Sequence, residues 1–114
     1  MLSIKEQGLL ISIIKHCEKI EAKMSSLTRE KFDQDEDVRE IICFNLFQIG
    51  ELAKNFSPEF IKQYNSVPWK HIKGMRDIIG HGYGSININQ VWETALTDIK
   101  PLKDYCQKIL NDNK

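Results

Sequence analysis

The chain has 114 residues, 41% apolar and 28% charged, and its 16 basic and 16 acidic side chains give a formal net charge of zero. That length suits a single domain, residues 1–114, with one modest core, and the composition excludes a disordered or low-complexity chain. Zero net charge also excludes nucleic-acid binding by overall charge, so any such contact must be local.

The N-terminal stretch MLSIKEQGLLISIIKHCEKI is interrupted by Lys5, Glu6, Lys15, His16 and Glu18, and no small-residue cleavage site follows it. This is not the pattern of a secretory signal. No run reaches the roughly 18 apolar residues that a membrane span needs. Cys17, Cys43 and Cys106 are odd in number, have no CxxC spacing and lie among apolar residues, so reduced core thiols are expected. These features together point to the cytoplasm.

Leu10, Ile13, Ile14, Cys17, Ile20 and Met24 recur at spacings of three and four, which predicts a first amphipathic helix. SSLTREKFDQDEDV breaks that rhythm, and its Ser, Thr and Asp residues suit a loop or the entry to the next helix. Asp33, Asp35, Glu36 and Asp37 crowd that entry, where a helix dipole favours negative charge. A second helix is predicted from about Asp35 to Asn55, with Val38, Ile41, Ile42, Leu46, Ile49, Leu52, Ala53 and Phe56 on its stripe. Ser57 as cap and Pro58 at the first position then predict a short helix.

Pro68 opens another helix, with Ile72, Met75, Ile78 and Ile79 facing inward and Gly80 as its stop. The last helix starts near Asn87 or Asn89 and runs through Val91, Trp92, Ala95, Leu96, Ile99, Leu102, Cys106, Ile109 and Leu110. Pro101 should kink or split it. No stretch alternates as a strand would. The chain thus reads as all-α: an up-down bundle of four main helices plus a short extra one. Phe44 and Phe47 lie off the main stripe of the second helix and give it a second apolar face. A chain of this size has little to cover such a face, so a homodimer is expected, with the second and final helices as contributors.

The densest chemistry sits in MRDIIGHGYG, Met75 to Gly84. In an unbroken helix, Arg76 and His81 would diverge by roughly 140° around the axis. If the helix stops near Gly80, His81 lies in a turn and can swing back toward Arg76, with Gly80, Gly82 and Gly84 supplying the backbone freedom. An arginine beside a histidine suits phosphate esters. The guanidinium offers a permanent bidentate fork, and imidazole moves a proton near neutral pH. Together they can cleave RNA without a metal, one group assisting 2′-hydroxyl attack while the cation steadies the phosphoryl oxygens. Lys62, Lys70, His71 and Lys73 make this the most basic part of the chain.

Plainer readings stand beside this one. An Arg–His pair near a helix end can be a cap, Tyr83 a packing residue, Asp77 half of a surface ion pair, and the lysines a solvated face. His16, His71 and His81 have no metal-ligand spacing, so no metal and no cofactor are expected. GxSxG and Walker loops are absent. Gly80, Gly82 and Gly84 spell GxGxG, but no strand precedes them, and the dinucleotide reading fails.

Arg76-Asp77-Ile78-Ile79-Gly80-His81-Gly82-Tyr83 resembles the RxxxxHxY motif of the HEPN superfamily, and most closely that of its HepT-like toxins. IGELAKNFS (Ile49–Ser57), VPWKHIKGMRDIIGHGYGSIN (Val67–Asn87) and VWETALTDI (Val91–Ile99) are similar to the family's blocks, in the same order. The resemblance implies an all-α homodimer acting as a metal-independent endoribonuclease, with Arg76 and His81 of both subunits at a cleft between them. It implies that Asp77, where many members carry asparagine, orients the site. It also implies a nucleotidyltransferase antitoxin as partner, which adenylylates Tyr83. On this reading Lys70, Lys73 and Tyr83 contact the RNA. The alternative is a helical binding module that engages a nucleotidyltransferase or a nucleotide and cuts nothing; Asp77 keeps that alternative open.

Overall fold

The computed structural model describes residues 1–77 and 87–114. Among the described residues the chain forms seven α-helices and no strand. The all-α expectation therefore holds, with the long helices close to where periodicity put them. Helix α1 (Ile4–Met24) opens with a reciprocal cap: Ser3 Oγ accepts from the Glu6 N–H, and Glu6 Oε1 accepts from the Ser3 N–H. Its buried stripe is Leu10, Ile13, Cys17 and Ile20. Helix α7 (Ile99–Asp112) runs antiparallel to it. Lys103 near the start of α7 meets Glu21 near the end of α1 at 2.6 Å, while Leu110 and Asn113 lie by Leu2 and Gln7.

The segment expected as loop or helix entry contains a helix of its own, α2 (Arg29–Gln34), before α3 (Glu36–Ala53) begins. Thr28 caps α2 and Asp35 caps α3, each accepting from the backbone N–H three residues on. Six residues cannot hold a helix in isolation. Here Phe32 is fully buried with its ring 5.1 Å from that of Trp92, and Arg29 bonds Asn89 while lying 6.0 Å over the same indole. Arg39 of α3 donates to the carbonyls of Phe32 and Asp33, closing the far end.

α3 is the central helix, packed against α1, α2, α5 and α6. His16 Nδ1 donates to Oδ1 of buried Asn45 across α1 and α3 at 2.7 Å, and Asn45 Nδ2 donates to the Ile41 carbonyl. Phe44 is exposed, and so are Ile41 beside it on α3 and Ile4 and Ile11 on α1. The second apolar face expected on α3 is present, although Phe47 is half-buried.

After α3, helix α4 (Pro58–Gln63) begins at Ser57 and Pro58 as expected. Phe56, Phe60, Tyr64 and Trp69 then form an aromatic cluster. Phe56 and Phe60 stack at 4.2 Å, Phe56 and Trp69 lie 5.0 Å apart, and Trp69 Nε1 donates to the Tyr64 carbonyl. That cluster fixes the start of α5 (Trp69–Lys73), whose cap is Pro68. The helix expected to run toward Gly80 leaves α geometry at Gly74 and continues as a 3-10 turn, Gly74–Arg76. Gly74, a poor helix former, stands where the switch occurs. Ile78, Ile79 and Gly80 lie outside the described residues.

The final helix splits as expected, but upstream of the proline, into α6 (Ile88–Thr97, capped by Asn87) and α7. Pro101 has no N–H for the Thr97 carbonyl, and its ring crowds that group, so the break falls at Asp98. Cys17, Cys43 and Cys106 are buried free thiols, and burial pushes each above its ordinary pKa: Cys43 to about 11 and Cys106 to about 12. Among the described residues, no helix is long and apolar enough to cross a membrane.

One contact brings α3 against the 3-10 turn. A Cβ built on Gly50 would lie 2.6 Å from the Arg76 backbone nitrogen and 3.0 Å from the Arg76 Cβ. Two measurements test this packing. Phe32→Ala is expected to cost about 3–5 kcal/mol in a denaturant titration, as for a core aromatic rather than a loop residue. Gly50→Ala is expected to lower the thermal midpoint although alanine favours helix, because backbone atoms at 2.6 Å cannot yield as a side-chain tip would.

Candidate functional site

Arg76 ends the 3-10 turn, and two neighbours hold it there. Ile72 and Met75 are almost fully buried, so the segment cannot slide outward, and Gly50 lets it settle directly on α3. A glycine inside a helix costs about 1 kcal/mol relative to alanine, a cost offset here by the close approach. The side chain of Arg76 is 45% exposed, so its base is fixed while its guanidinium remains reachable.

Glu51, the residue after Gly50, meets that guanidinium. Its Oε1 lies 2.7 Å from Arg76 Nε, and its Oε2 lies 3.0 Å from Lys54 Nζ one turn further along α3. Oε1 is shielded from water, yet among the described residues no donor points a hydrogen at it. The Arg76 contact is therefore held by charge rather than by an aligned hydrogen bond. The hydrogen bond from Lys54 is the main reason that Glu51 titrates below the ordinary carboxylate range. Partial desolvation opposes the shift, and the Arg76 and Lys54 charges reinforce it. A depressed pKa means that the pair stabilises the fold at neutral pH, and that this contribution is lost only as pH falls through the folded-state value.

The other expected residues divide between inside and outside this group. Lys70 is exposed and Lys73 half-buried, three residues apart on α5, with Arg76 three further on. A 3-10 turn brings every third residue back to one line, so the switch at Gly74 sets Arg76 close to the line of Lys73. Asp77 is exposed, and its N–H donates to the Gly74 carbonyl at 2.9 Å, closing the turn. His71 does not join the group, because its Nε2 lies 2.8 Å from Asp98 Oδ2, at the break between α6 and α7. His81 and Tyr83 lie outside the described residues, and so does the expected approach of His81 to Arg76. Among the described residues, no three His, Cys, Asp or Glu side chains are grouped as a metal site.

Gly50, Glu51 and Lys54 fall within the family-like block Ile49–Ser57, but the sequence assigned them no role, although a signal for one existed. A glycine within a helix's apolar stripe marks a place where another backbone can come close, and a charged residue beside it is placed to meet whatever arrives.

Known proteins resemble this chain over most of its length. The profile of the family described as Ribonuclease HepT-like matches residues 13–109. A protein of Caldanaerobacter subterraneus subsp. tengcongensis named "Putative RNase" is 34% identical over 102 residues, 90% of this chain and 91% of that one. A "Probable ribonuclease HepT" of Thermococcus cleftensis is 29% identical over 100 residues, 88% of this chain and 91% of its own length. A longer Methanocaldococcus jannaschii protein, "Gamma-glutamylcyclotransferase and putative RNase", is 31% identical over 88% of this chain and 45% of its own. No solved structure matches. With most of its length matched and its Arg76 turn inside the matched span, the chain belongs to the HepT-like ribonuclease family of the HEPN superfamily.

Proposed function

We propose that this protein is an endoribonuclease that cleaves RNA without a metal, in a cleft between two copies of the chain, and that it is the toxin of a toxin–antitoxin pair. The observation that carries this reading is family membership across residues 13–109, a span that includes the whole Arg76–Tyr83 motif. The half-exposed Arg76 side chain, on a backbone packed against Gly50, supports it, because a phosphate clamp needs both a fixed base and reach.

Arg76 grips the phosphoryl oxygens and steadies their charge in the transition state. One His81 imidazole takes the proton from the 2′-hydroxyl, whose oxygen attacks the adjacent phosphorus. The bond to the 5′-oxygen breaks, and the His81 of the second copy returns a proton to that leaving oxygen. The products are a 2′,3′-cyclic phosphate and a free 5′-hydroxyl. Asp77 orients the site, and Lys70, Lys73 and Tyr83 contact the RNA. The exposed Phe44 and Ile41 on α3 supply an apolar face for the second copy.

The antitoxin on this reading is a nucleotidyltransferase. The Tyr83 phenol oxygen attacks the α-phosphorus of ATP, pyrophosphate leaves, and the AMP now on Tyr83 puts a bulky anion where RNA phosphate must bind. The whole chain, residues 1–114, acts as one domain in the cytoplasm.

A second reading, a binding module that engages a nucleotidyltransferase or nucleotide and cuts nothing, has one observation in its favour. Glu51 lies against Arg76 and offsets part of its charge. RNA cleavage separates the two. Unmodified wild type in excess chelator is expected to cut a cellular RNA pool and leave 5′-hydroxyl ends, while His81→Ala and Arg76→Ala each lose at least about a hundredfold in rate. Absence of product from wild type whose mass shows bare Tyr83 would leave the binding module. Phe44→Glu is expected to shift the sedimenting species from dimer to monomer and abolish cutting; a dimer that survives it would place the interface elsewhere.

A further inference from the structure

We propose that Glu51 is a positioning residue for Arg76: it holds the guanidinium by its Nε edge and so aims the Nη1–Nη2 edge at a phosphate of the RNA. The inference rests on the ribonuclease reading above and adds a residue to it. An arginine has two edges on which it can grip an anion, one made of Nε and a terminal nitrogen, the other of the two terminal nitrogens. The Glu51 contact is made at Nε, 2.7 Å from Oε1. The end-on edge faces away from an anion so placed.

Three features make this a built arrangement rather than a passing surface pair. Gly50 brings the Arg76 backbone onto α3, so the two charged groups start from fixed points. Lys54 holds the second carboxylate oxygen at 3.0 Å, which leaves the carboxylate little rotational freedom. Oε1 is shielded from water, so its attraction for Arg76 is screened less than that of an exposed pair. A long side chain, otherwise free to sample many rotamers, is thereby ordered before RNA arrives, and the binding step no longer bears that entropy.

The sign of Glu51's effect decides the matter. As a positioning residue it favours phosphate binding despite its negative charge; as a mere counter-ion it would compete with phosphate. The test compares wild type, Glu51→Ala, the isosteric Glu51→Gln, Arg76→Ala and the double variant Glu51→Ala/Arg76→Ala. Cleavage rate is read on RNA, and binding is read with a 2′-O-methyl RNA oligomer that lacks the attacking hydroxyl.

Glu51→Ala is expected to lower kcat by about ten- to a hundredfold and to weaken the oligomer by about tenfold. Glu51→Gln is expected to lose as much, because the hold is one of charge. Neither loss should recur on the Arg76→Ala background, whereas a general loss of folding would add to it. A variant that binds the oligomer more tightly than wild type, or losses that multiply in the double variant, would overturn the proposal. If wild type cuts nothing, the ribonuclease reading fails by itself. The oligomer series then decides: an Arg76-dependent loss of affinity in Glu51→Gln sustains the positioning role, and unchanged affinity ends it.

Discussion

The approach of the Arg76 backbone to Gly50 is the constraint on which the site depends. Any side chain at position 50 would meet backbone atoms of Arg76, so the fold keeps a helix-weakening residue in the last turn of its central helix. Around that contact the chain arranges ordinary packing: Ile72 and Met75 below the turn, and an aromatic cluster at the start of α5 that fixes where the turn begins. The arginine is held by what lies beneath it and remains reachable at its tip.

Much of this was legible in the sequence. The stripe from Leu10 to Met24 marked α1, the acidic run before Val38 marked the entry to α3, and Ser57-Pro58 marked α4, because each depends on signals within one turn. The family motif marked Arg76. The departures have tertiary causes. Helix α2 is six residues long and exists because Phe32 finds Trp92 sixty positions away in sequence, a partner no local pattern could name. Glu51 was hidden for a similar reason. On a helical wheel it is one more charged residue at the edge of the stripe, and only the arrival of the 3-10 turn gives it an arginine.

Zero net charge looks like an odd choice for a protein that handles a polyanion. A strongly basic surface would hold RNA by released counterions, and hold it indiscriminately. Here Lys54, Glu51 and Arg76 alternate in sign across a few ångströms, and His71 is drawn off to Asp98. If Arg76 is the phosphate clamp proposed above, such a site would attract phosphate weakly at long range and grip it only at close quarters, where the geometry of the guanidinium counts for more than the sum of charges.

That arrangement also bears on how a covalent switch would work. A site that relied on a broad basic field would be little affected by one added anion, since many cations would remain. A site that relies on one oriented arginine is open to blockade by a single phosphate delivered to a neighbouring side chain. On the proposed ribonuclease reading, the neutral total charge, the carboxylate set against Arg76 and a modification of Tyr83 belong together: with few phosphate contacts to carry the binding, one added anion would be enough to stop it.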